Sequence, residues 1–377
     1  MERNTLDKII RPVANCIGDG KLLSWDQYDT LKGSLILLIV IGHNTNLQSV
    51  WPNMDRMIYN FHVSSFLLIP QMLGAGAFTL VVMRDKAIRF MAPHVCFLTL
   101  ASILYAINFD QGLTIADYVA RWSDALLYSN SPKIVAAAGL QLYWFLPTLL
   151  CMTVIRAFYY NTNTYIALVL FFALAGTALF IGTMGSYYVK HLPWGLAIAA
   201  YMLCAGLLTV HLVNFLRRLN HHALVFCALA LALAALTLAS VYVTDSRLNL
   251  SVGRFFSIET PAKFFVHFAL VITGMLTALY AARYLDILRV FRMFGRYSLV
   301  IFLSHSMIFY GINFVAPKLG VNLFNLAGGV FSLALTVLLS TLVAKVIADV
   351  SILRKLITPR GFSDWIPGRS VNKPHQA

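Results

Sequence analysis

The stretch Asp29-Thr30-Leu31-Lys32-Gly33-Ser34-Leu35-Ile36-Leu37-Leu38-Ile39-Val40-Ile41-Gly42-His43 reads as a helix that enters an apolar phase past a lysine and carries a histidine deep inside it. Lys32 and His43 are eleven positions apart, which at about 100° per residue returns to the same helical face three turns on, roughly 16 Å along the axis. An ionisable side chain inside a membrane span is costly and usually functional. One face of this helix therefore carries an anchor and a candidate base.

The rest of the chain fits a membrane setting. Of its 377 residues 59% are hydrophobic and 12% charged, with a mean hydropathy of +0.74, which excludes an ordinary soluble domain. Apolar runs near the length needed to cross a bilayer, about 20 residues, fall near 33–50, 58–80, 91–109, 137–157, 164–182, 194–213, 222–243, 263–282, 297–315 and 323–348. The expected fold is all-α, a polytopic bundle of about ten transmembrane helices. The first 30 residues are polar and mixed in charge, so the first span is expected to be permanent rather than a cleaved signal.

The net charge of +14 sorts by side rather than by patch. With connections assigned alternately, the side holding both termini has 20 Lys and Arg, the other has 8, and Lys345 lies in the last span. That is the positive-inside pattern for cytoplasmic termini, and it argues against nucleic acid as the partner. Three segments follow: a cytoplasmic or interfacial lead over 1–32, a transmembrane domain over 33–350 and a basic cytoplasmic tail over 351–377. Four of the five cysteines fall in spans, with no disulfide framework and no metal-ligand spacing, so no metal is expected.

His43, some ten residues in from the cytoplasmic end of its span, sits roughly 15 Å deep. A neutral imidazole there is a candidate general base toward a hydroxyl; the structural alternative is a histidine hydrogen-bonded between packed helices. The expected loop after the second span holds Arg84, Lys86 and Arg89, a set suited to phosphate oxygens or simply to topology. His305, eight residues into the ninth span, is expected at a depth similar to His43. Arg283, Arg289, Arg292 and Arg296 crowd the connection before it. On the outer half Asn44, Asn46, His62, Gln141, Tyr143 and Trp144 offer the hydrogen bonds and stacking a sugar needs, although aromatics also favour membrane interfaces. The P-loop, the paired-histidine zinc signature and the nucleophile elbow are missing, which disfavours nucleotide hydrolysis, zinc proteolysis and serine hydrolysis.

Taken together these motifs resemble those of the acyltransferase 3 family of integral membrane acyltransferases, and within it the fucose 4-O-acetylase-like branch. The likeness runs through Lys32 with ten intervening positions to His43, Tyr59-Asn60-Phe61-His62-Val63, Lys86-Ala87-Ile88-Arg89 before Pro93, Leu142-Tyr143-Trp144-Phe145-Leu146-Pro147, and Gly295-Arg296-Tyr297-Ser298-Leu299 to His305. It departs after Val63, where Ser64-Ser65-Phe66-Leu67-Leu68-Ile69 replaces the family's usual proline and aromatics leading into Ser-Gly.

The resemblance implies transfer of an acyl group, most often acetyl, from cytoplasmic acyl-CoA to a sugar hydroxyl. His43 would be catalytic. Lys32, Arg84, Lys86 and Arg89 would handle the donor, acetyl-CoA, which is a substrate rather than a resident cofactor. Trp144, Tyr143, His62, Asn44 and His305 would line the site for substrate. The implied partners are acyl-CoA, a glycan or lipid-linked oligosaccharide acceptor, membrane lipids and a glycan-assembly machinery, with no nucleic acid. A glycan or solute transporter, or a structural subunit of such a machinery, is the rival reading.

Overall fold

The computed structural model describes residues 22–59, 61–73, 78–109, 114–128, 145–173, 194–219, 221–243 and 261–365. Their regular elements are helices. Helix α1 spans Trp25–Gly42 and starts on a reciprocal cap: Ser24 Oγ accepts from the Gln27 amide at 3.2 Å, and Gln27 Oε1 accepts from the Ser24 amide at 3.0 Å. Leu31, Leu35, Ile36, Ile39 and Val40 of α1 have no exposed surface. A helix apolar on most sides belongs at the centre of a bundle, and α1 is flanked by six other helices.

The expected first span breaks at His43. Asn44 Oδ1 accepts from the amides of Asn46 and Leu47 at 3.0 and 3.1 Å and so starts a new helix, α2 (Thr45–Val50). A side-chain acceptor placed there competes with continuation of α1, and Gln48 Nε2 donates to the released Gly42 carbonyl at 2.5 Å. The expected second span is likewise three short pieces, α3 (Met54–Tyr59), α4 (His62–Leu68) and a 3-10 turn over Ile69–Met72. Arg84, Lys86 and Arg89 lie not in a loop but in the first turns of a long helix, α5 (Leu80–Phe109). No Gly or Pro separates them from the span that follows until Pro93, so the helix simply begins earlier.

Then come α6 (Ile115–Tyr128), α7 (Phe145–Asn161), α8 (Thr164–Ala173), α9 (Trp194–Leu216), α10 (His222–Val243) and α11 (Pro261–Leu285). The chain continues through α12 (Arg289–Arg296), α13 (Ser298–Val315), α14 (Leu326–Asp349) and α15 (Ser351–Ile357). Among the described residues six helices are long and apolar enough to cross a membrane, in α5, α9, α10, α11, α13 and α14. Leu224, Leu231 and Leu238, one heptad apart on α10, are 69, 72 and 55% exposed. Such an uncovered apolar row suits lipid and would be a liability in water.

Helices α1 and α12 meet backbone to backbone. A Cβ on Gly33 would stand 1.8 Å from the Phe291 carbonyl oxygen, and one on Gly295 would stand 1.7 Å from that of Asp29. The two glycines permit an approach that no other residue allows.

Candidate active site

The break after α1 presents His43. Its Nδ1 lies 2.7 Å from the Ile39 carbonyl oxygen. A carbonyl only accepts, so Nδ1 carries the proton, which leaves Nε2 as the basic nitrogen whenever the ring is neutral. His305 on α13 repeats the arrangement, with Nδ1 3.1 Å from the Ile301 carbonyl oxygen. The two rings meet edge to face, centroids 5.3 Å apart and planes at 66°. His305 is fully buried, and its Nε2 has no hydrogen-bond partner among the described residues, whereas His43 keeps partial exposure. The expected meeting of His43 and His305 is therefore a direct contact. Phe302 backs His305 at 6.0 Å and stacks on Phe145 at 4.8 Å, so the wall behind the pair is apolar.

Asn44 is buried and its amide is committed: besides capping α2, Nδ2 donates to the Gly329 carbonyl at 2.9 Å and to Ser332 Oγ at 3.2 Å. It ties the turn that carries His43 to α14, which leaves it little capacity for substrate. Asn46 donates to Asn313 Oδ1 at 2.8 Å and to Ser332 Oγ at 3.2 Å, while its own Oδ1 is buried with no partner among the described residues. Asn313 and Ser332 were invisible to sequence reasoning, because only the tertiary fold brings them to Asn46. His62 is buried on α4, with Nδ1 against the Ile58 carbonyl. Gln141, Tyr143 and Trp144 lie outside the described residues; Phe145, next in sequence, is the wall residue against Phe302.

The charged end of α1 is a network. Lys32 Nζ pairs with Asp29 Oδ1 at 2.8 Å and lies 4.7 Å from the Tyr28 ring centre. Arg292 of α12 bridges Asp26 at 2.6 Å and Asp286 at 2.8 Å, and Thr30 Oγ1 donates to the same Asp286 oxygen at 2.8 Å. The hydrogen bond to Asp286, aided by the charges of Asp286, Asp26 and Asp29, keeps the Arg292 guanidinium protonated beyond its ordinary range. Arg296 reaches Asp29 and Asp26. These arginines fasten α12 to α1 rather than standing open.

Of the α5 cations, Arg84 is engaged by Asp85 at 3.0 Å and lies 4.7 Å from the Phe362 ring of the tail, whose backbone amide also donates to Asp85. Lys86 is partly buried and Arg89 exposed. No group of three His, Cys, Asp or Glu side chains able to hold a metal occurs among the described residues.

The fold and the histidine pair, His305 buried and His43 partly exposed, define an integral membrane protein with a polar site inside its helical bundle. The chain matches the acyltransferase domain family, acyltransferase 3, over residues 25–345. It belongs to that family and is a membrane acyltransferase. Neither the curated proteins nor the solved structures include a match to it.

Proposed function

We propose that the protein is an O-acetyltransferase moving acetyl from cytoplasmic acetyl-CoA to a sugar hydroxyl of a surface or exported glycan, as in the fucose 4-O-acetylase-like branch. The observation that carries this reading is the pinned pair of histidines, His43 partly accessible and His305 sealed behind it. In this reading the chain crosses the bacterial inner membrane with both termini in the cytoplasm, and the charged end of α1 faces that compartment.

Acetyl-CoA docks its phosphates at Lys86, Arg89 and Lys32 and extends its thioester along α1 toward His43. Arg84, committed to Asp85 and Phe362, is left out. The sugar hydroxyl approaches from the opposite end. His43 Nε2 takes the hydroxyl proton as the oxygen attacks the thioester carbonyl; the C–S bond breaks, and the imidazolium returns the proton to the departing thiolate. The Ile39 carbonyl fixes the ring through Nδ1 and stabilises the imidazolium. Asn46 Oδ1 supplies an acceptor for a sugar hydroxyl near the same turn, and Trp144 and Tyr143, adjoining Phe145, offer stacking surface.

The test is transfer of labelled acetyl from acetyl-CoA into the glycan fraction of membranes containing the protein. Label released by mild alkali, and absent from membranes without the protein, is the expected result. With the acceptor present, no incorporation sinks the glycan O-acetylation reading and favours transport or another acceptor.

A further inference from the structure

After α15 the chain turns back over the first turns of α5. The Phe362 amide donates to Asp85 Oδ1 at 3.2 Å, and the same oxygen accepts from Arg84 Nη2 at 3.0 Å. Gly361 seats this strap: a Cβ there would stand 2.9 Å from Asp85 Cγ, so a larger residue would push the chain off the helix. Pro359 and Gly361 are buried. The Arg360 amide donates to Asp364 Oδ2 at 2.8 Å across the 3-10 turn Phe362–Trp365, and Trp365 Nε1 donates to the Lys355 carbonyl at 2.7 Å.

This bracing holds two aromatic rings in the open. Phe362 is 39% and Trp365 45% exposed, and with centroids 6.5 Å apart and planes at 71° they form a corner. The Arg84 guanidinium lies over the Phe362 ring, 4.7 Å from its centre, and backs it with positive charge. The ordinary reading of such rings is an interfacial belt. A belt indole keeps its ring in the apolar phase and gives its N–H to the wet side, whereas the Trp365 N–H is spent inside the strap. What remains on offer is ring surface with cations around it. Lys355 and Arg360 are exposed, and Arg89 follows Asp85 by four positions, one turn along the same face of α5. A planar base joined to phosphates matches that combination, ring against ring and phosphate beside cation.

We propose that Phe362 and Trp365 form a stacking platform for the adenine base of the acyl donor. The assignment rests on the acyl-CoA reading above and gives the carboxyl-terminal strap a part in it. The base lies flat on one ring and edge-on to the other. Because the strap is braced by its own hydrogen bonds, little ordering cost opposes binding.

The full chain is purified into phosphatidylcholine vesicles, and binding of labelled coenzyme A is compared with binding of labelled 4′-phosphopantetheine, which keeps the thiol arm and lacks the adenosine. Acetyl transfer by the wild type is measured in membranes alongside. Trp365→Leu and Phe362→Leu keep apolar bulk and remove the ring. Each should weaken coenzyme A binding by about fivefold or more, the low end for one base–aromatic stack, and leave phosphopantetheine binding unchanged. Trp365→Phe, which has a ring but no N–H, should hold coenzyme A nearly as tightly as the wild type.

If the wild type transfers acetyl while the leucine variants bind coenzyme A as it does, the platform is refuted and the acyltransferase reading stands. The platform is equally refuted if the leucine variants lose both ligands alike, or if Trp365→Phe falls as far as Trp365→Leu, since the side chain then serves only to brace the strap or anchor it at the interface. A wild type that neither binds coenzyme A nor uses acetyl-CoA overturns the underlying reading, and this assignment with it.

Discussion

At the scale of the residue, two histidines share one trick. Each spends Nδ1–H on the carbonyl four residues back, so each ring has a fixed tautomer and presents Nε2 to the site. His305 lies behind His43 in a fully buried position, and its Nε2 lacks a partner among the described residues. Replacing His305 with Phe should leave the protein folded, since the surroundings are apolar, yet lower kcat by about tenfold or more. Unchanged kcat would make His305 mere packing. Asn44 behaves oppositely. With its amide shared between the α2 cap and α14, Asn44→Ala should cost about 2 kcal/mol through the lost cap and the stranded partners. The measurement is thermal unfolding in detergent, and a sugar-binding role would instead raise KM for the acceptor without lowering stability.

At the scale of the element, the close packing of α1 and α12 holds the charged end together. Gly295→Ala forces a methyl into the Asp29 carbonyl and should destabilise by at least about 2 kcal/mol. Gly311 on α13 is the control: a Cβ there meets nothing within 4 Å, so Gly311→Ala should fall within about 0.5 kcal/mol of wild type. Equal effects at both sites would refute the packing account. Hydropathy and length revealed α9, α10, α11, α13 and α14 within a few residues, because each is a long apolar run between polar ends. The same measures misread the chain before Gly74. The cap at Asn44 and the short helices of 54–72 are set by local hydrogen bonds inside an apolar background, to which a hydropathy window is blind. Arg84 to Arg89 reads in sequence as a loop, because its charge resembles a span boundary, although nothing there breaks a helix.

At the scale of the whole molecule, the site joins parts of the chain that periodicity does not connect. The spacing from Lys32 to His43 was legible, being local to one helix. The contact of His43 with His305, 262 positions later, depends on how the helices close around α1. The account also orients the molecule. A cysteine introduced at Arg89, on the charged face of α5, should react with a membrane-impermeant maleimide only when the cytoplasmic side is open. Labelling from the outside would invert the proposed topology and with it the donor's side of entry.

The central claim is that His43 carries out the transfer. Its most direct test is the rate of acetyl transfer from acetyl-CoA to the glycan acceptor by wild type and His43→Ala at matched amounts of folded protein. Loss of a positioned base predicts a fall of about 10²-fold or more. A variant that keeps the wild-type rate would contradict the account.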